Sequence, residues 1–217
     1  MLSYGLKTWM NRLLGRTFRR GLGNYAHRHY IDVLKEKYES TSSYSDLCAI
    51  ADKRTPIRAS CNIRCHEDLG CGCSLRGLAA RIGKPHDRIY RLNELTEVLA
   101  IYRFQWSGYK VRNESHFSKD GLFYFNRTFS HIAREEVQPL LKTLEDKYCG
   151  GQSIDFQKEK IVDEQGSEIV INRNLVLSLD YLCKSSPAFA ALRTLQEREE
   201  MPRNPARHDL DMLYRRL

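Results

Sequence analysis

Between Ser74 and Leu95 the chain reads SLRGLAARIGKPHDRIYRLNEL, and the placing of its apolar residues leaves few local folds open. Leu75, Leu78, Ala79 and Ile82 fall on one helix face, Gly83-Lys84-Pro85 interrupts the run, and Ile89, Leu92 and Leu95 form a second face. The spacing predicts two short helices joined by a tight turn. Helices that cross steeply need a small residue where they come closest and a residue tolerating positive φ in the turn. Ala79 meets the first need and Gly83 the second. Ile89 and Leu92 then face back onto Leu78 and Ile82. An ordinary helical hairpin with a Gly-Lys-Pro turn fits the same pattern.

Charge is concentrated around this segment. The 217 residues carry 35 Lys plus Arg against 27 Asp plus Glu, a net charge of +8. Residues 1–30 contribute six basic residues (Lys7, Arg12, Arg16, Arg19, Arg20 and Arg28) and no acid; residues 76–112 contribute eight basic and three acidic. The remainder is slightly acidic, so the positive field lies where a polyanion can dock, and nucleic acid is the leading partner class. With 41% apolar residues the chain is long enough for a core, and no run approaches the ~18 apolar residues of a bilayer span.

Residues 74–95 resemble the helix-turn-helix motif of bacterial, phage and plasmid DNA-binding proteins, and the resemblance goes no further along the chain. It implies that the helix starting near His86 is a recognition helix for the major groove of double-stranded DNA. Carried over position by position, Lys84, His86, Asp87, Arg88 and Arg91 become the DNA-contacting residues. Arg88 and Arg91 suit bidentate contact with guanine or pairing with phosphate, and Lys84 in the turn suits phosphate. Pro85 takes a position at the start of that helix.

Upstream stands Cys61-x3-Cys65-His66-x4-Cys71-x-Cys73, five soft ligands in thirteen residues. Residues 53–74 have little periodicity to bury, so something other than a core must order them. Tetrahedral Zn²⁺ held by Cys61, Cys65, His66, Cys71 and Cys73, four at a time, would do so. The Gly70–Cys73 run also resembles the Cys-rich segment of superoxide-sensing transcription regulators without reproducing its spacing, which makes an iron–sulfur cluster the alternative cofactor. The third reading is reduced thiols, with Cys48, Cys149 and Cys183 as small buried hydrophobes.

The expected fold is mainly α: a helix-turn-helix core, the Cys-rich loop, and a second helical region carrying a small β-hairpin. Domains are expected at 1–52 (basic N-terminal helices), 53–112 (Cys-rich loop and helix-turn-helix), 113–200 (helical, hairpin near 160–172) and 201–217 (polar tail). Helices are predicted over residues 2–20, 27–38, 75–103 with the break at 83–85, 129–148, 175–182 and 189–199, and a short one around 45–50. Residues 160–172 alternate around Glu164-Gln165-Gly166-Ser167 as a hairpin would.

No catalytic motif is present. Cys65 and His66 are adjacent and cannot pair as nucleophile and base, and Glu135-Glu136 and Glu199-Glu200 point apart on helices. The sequence therefore predicts a DNA-binding regulator of transcription or replication, of phage, plasmid or bacterial type, cytoplasmic and nucleoid-associated, with a homodimer through its C-terminal helices. The alternative is a viral or organellar protein that binds RNA, a membrane or a partner through its basic N-terminal helix. That helix shares its acid-free, amphipathic character with mitochondrial presequences.

Overall fold

The computed structural model describes residues 27–66, 68–106, 108–130, 132–173 and 176–200. The predicted helix over 2–20, the presequence reading and the polar tail after 200 lie outside these residues. Contacts divide the chain into two units, Met1–Glu39 and Ser40–Leu217. Of the first, helix α1 spans residues 27–37.

The second unit is built on a sheet and is not mainly α. Its elements are α2 (Ser42–Asp52), β1 (Thr55–Arg58), α3 (Leu75–Ile82), β2 (Asp87–Tyr90), β3 (Val98–Trp106), β4 (Tyr109–Ser118), β5 (Gly121–Ser130), α4 (Arg134–Tyr148), β6 (Glu159–Val162), β7 (Ser167–Arg173), β8 (Leu177–Cys183) and α5 (Pro187–Glu200). The eight strands form one mixed sheet in the order β1-β6-β7-β8-β5-β4-β3-β2. Only β1 and β6 run parallel; every other neighbouring pair is antiparallel. The boundary expected at 112/113 falls inside β4.

Two faces follow from the register. One carries Ala100, Tyr102, Val111, Phe125, Phe129, Ile169, Ile171, Leu179 and Tyr181, and packs with Leu78 of α3 and Val137, Leu141, Leu144 and Tyr148 of α4 in a single core. Burying these side chains supplies most of the stability of such a layer, at ~1.5–3 kcal/mol for each large one fully removed from water. The opposite face carries a polar network. Asp180 Oδ1 accepts from Tyr124 Oη and from Asn126 Nδ2, both at 2.6 Å, and Oδ2 accepts from Asn172 Nδ2 at 2.7 Å. Arg54 then donates to Asn172 Oδ1 at 2.9 Å and to the carbonyl of Ile171 at 2.8 Å. A buried carboxylate is tolerable here because each oxygen has donors.

The Cys-rich segment is ordered by the fold itself. Ile63 and Cys65 are buried in the core, Ile63 N donates to Asp163 Oδ2 at 2.8 Å, and Arg127 Nη2 donates to Cys65 O at 2.9 Å. Backbone bonds join Gly72 N to Leu122 O (2.8 Å) and Leu122 N to Cys73 O (2.9 Å). At Gly121, φ is +110°, and an added Cβ would fall 2.4 Å from Gly72 O, so only glycine permits this approach. Cys71 is joined to Cys183 of β8 by a disulfide. The expectation of wholly reduced thiols thus fails at two of the seven.

Candidate nucleic-acid interface

Helix α3 forms as the apolar spacing demands. Ser74 caps it, accepting from Gly77 N at 3.0 Å, Leu78 is fully buried, and Gly83 ends it with φ +89°. The second helix of the expected pair does not form. Residues 87–90 are strand β2, the edge of the sheet, paired with β3 from Asp87↔Ile101 to Tyr90↔Val98. The helix-turn-helix core, and with it the recognition helix, is overturned by this pairing. The chain then turns: Arg91 N donates to Glu97 O at 2.7 Å, and Asn93 Oδ1 accepts from Leu95 N and Thr96 N at 2.9 and 2.7 Å. An Asx turn of this kind is what asparagine supplies in a loop.

The five residues expected to touch DNA part company on and beside this strand. Lys84, Arg88 and Arg91 are exposed, and none makes an ion pair with a described residue. His86 Nδ1 instead accepts from the backbone N of Arg103 at 3.2 Å, and Asp87 pairs with Arg103 at 3.8 Å. Both are structural in this setting, tying β2 to β3.

The residue between the cations, Tyr90, stands outside the DNA-contacting set that the sequence suggests, where it reads as a packing or backbone-touching side chain. Tyr90 is 60% exposed, the most open of the large apolar side chains described, and Arg88 Nη1 reaches its hydroxyl at 3.4 Å. Positions 88 and 90 share a face because side chains alternate along a strand; a helical reading places them apart. Arg91 follows with φ +52°, the one non-glycine in the left-handed region among the described residues. An L-residue held there costs roughly 1 kcal/mol or more, and Arg91 thereby stands exposed where the strand turns away.

The metal-ligand set is not assembled. Cys71 is in the disulfide, Cys61 is exposed with Sγ 3.5 Å from Lys147 O, and Cys65 Sγ lies 3.0 Å from Leu69 O. Cys65 and Cys73 do meet: the hydrogen bond between them holds Cys73 below the usual thiol value and pushes Cys65, also buried, above it. Among the described residues no three His, Cys, Asp or Glu side chains form a group able to hold a metal ion. Nor is any described helix long and apolar enough to cross a membrane.

No family model matches this chain, and neither a curated protein nor a solved structure is found similar to it.

Proposed function

We propose that the protein binds single-stranded nucleic acid along the β2 margin, with Lys84, Arg88 and Arg91 on phosphates and Tyr90 as a stacking platform. The observation that carries the reading is the exposure of Tyr90 between cations that have no carboxylate partner among the described residues. Positive charge that tracks a backbone, interleaved with an open aromatic ring, is the combination that binds unpaired strands with little regard to sequence. Base reading by an inserted helix has no basis once residues 87–90 are a strand. RNA and DNA are equally served, since stacking and phosphate contact are common to both.

Binding of labelled 12-mers, single-stranded and duplex, measured by fluorescence anisotropy tests the reading. Single strands should bind at least several-fold tighter than the duplex, and Tyr90→Ala should remove most of that preference, since one stacked base is worth ~1–3 kcal/mol. Equal affinity for both forms, unaffected by Tyr90→Ala, would contradict it.

A further inference from the structure

On the core face of the sheet a cleft of about 510 Å³ lies between α4, the Arg64–His66 segment, the end of α3 and strands β3, β5 and β8. That volume falls within the ~300–1,000 Å³ of small-molecule sites. Its apolar surface comes from Phe104, Leu144, Tyr148 and Tyr181, three of them on the buried core and Phe104 at the rim with 37% exposure. Among the described residues its charged lining is all of one sign: Arg64, Arg127 and Lys147, with no carboxylate.

These cations are not equivalent. Arg127 is fixed, its guanidinium 5.4 Å from the Phe125 ring and 6.0 Å from that of Tyr181, with Nε donating to Asn113 Oδ1 at 3.3 Å. Arg64 pairs loosely with exposed Asp68 at 3.5 Å, and Lys147 has no carboxylate partner among the described residues. Burial raises the phenols of Tyr148 and Tyr181, and Arg127 opposes that rise at both, so its positive charge is felt across the floor. The Cys65 thiol is held protonated and offers no nucleophile.

We infer that this cleft binds an amphipathic organic anion, its apolar body against Phe104, Leu144, Tyr148 and Tyr181 and its carboxylate or phosphate at Lys147 and Arg64. An apolar floor alone would accept any hydrophobe; a lining whose described charged side chains are all cations, with Lys147 lacking a carboxylate partner among the described residues, selects one carrying negative charge. The site shares no residue with the β2 margin and does not rest on it.

The full chain is titrated with anilinonaphthalene sulfonate as reporter, followed by displacement with decanoate, decyl phosphate or decanol. Saturable one-to-one dye binding is expected, with decanoate or decyl phosphate displacing it about tenfold more strongly than decanol, as one charge contact of ~1.4 kcal/mol requires. Which of the two anions is stronger identifies the head group. Lys147→Glu should weaken the anions about tenfold and leave decanol unchanged, whereas Phe104→Ala should weaken all three; both side chains are exposed enough for the fold to survive, which circular dichroism checks. Decanol displacing as well as decanoate, or anion binding unchanged in both Lys147→Glu and Arg64→Glu, would overturn the proposal. So would displacement of the dye by a single-stranded 12-mer from wild type but not from Lys147→Glu, which would make the cleft part of a nucleic-acid surface.

Discussion

Arg88 stands directly opposite Ala100 in the β2–β3 pair. Because Ala100 faces the core side of the sheet, Arg88 and, two residues on, Tyr90 project along that same side at the edge, while Ile89 turns to the other and is buried. One backbone pairing therefore decides which side chains of residues 84–91 a ligand can meet together.

Asp180 is the centre of the polar face, and its loss should be costly. In Asp180→Ala, Tyr124, Asn126 and Asn172 each lose an acceptor, and Arg54 loses the nearby negative charge. Removing one partner of a buried charged network costs ~3–5 kcal/mol. Urea unfolding should show a midpoint shift of that size with little change in slope; a loss under ~1 kcal/mol would mean that water replaces the carboxylate.

The Cys71–Cys183 disulfide closes a loop with a sequence separation of 112 residues. In the chain-entropy account a loop of this length is worth ~4–5 kcal/mol, and measured values run lower. Cys183→Ser should lower stability by ~2–4 kcal/mol and abolish the effect of added dithiothreitol on the wild-type unfolding midpoint. Equal midpoints for wild type with and without reductant would refute the bond's contribution.

Asp52 and Lys184 set an opposed pair of pH arms. The Lys184 hydrogen bond holds the Asp52 carboxyl below its usual value, so its contribution is present above the unfolded value of ~3.9 and is lost as pH falls through the folded one. Burial draws Lys184 down, but Asp52 and Glu168 outweigh it and leave it raised, so its contribution is full below ~10.4 and is lost as pH rises through the folded value. Thermal midpoints of wild type and Asp52→Asn should differ at neutral pH and converge below pH 4. A difference constant from pH 7 to pH 2 would show that the pair is not linked to folding.

Helix periodicity was legible where one face alone is buried. The first helix of the pair and the 160–172 hairpin lie where the pattern puts them, α4 ends where expected but begins at Arg134 because residues 129–130 belong to β5, and α5 begins two residues earlier than expected. Strands buried on both sides were not legible. Leu122, Phe123, Tyr124 and Phe125 of β5 are all within the core or the polar layer, and a continuous apolar run has no period to betray a strand. Residues 175–182, expected helical, are largely β8, where Leu177, Leu179 and Tyr181 alternate with Ser178 and Asp180. Ile89, Leu92 and Leu95 mimic a helix because a four-residue strand and an Asx turn happen to space apolar residues by three. The partner of Cys71 was beyond reach, since pairing depends on Cα separation, here 5.6 Å across 112 residues.

The salt dependence of single-strand affinity tests the β2-margin account most directly. Each phosphate neutralised contributes about −0.7 to the slope of log K against log salt for a single strand. The variant Lys84→Ala/Arg88→Ala/Arg91→Ala should bind a 12-mer at least tenfold more weakly at low salt, with a slope shallower by about 2 than that of wild type. Affinity and slope unchanged from wild type would contradict the claim that these three cations hold the strand.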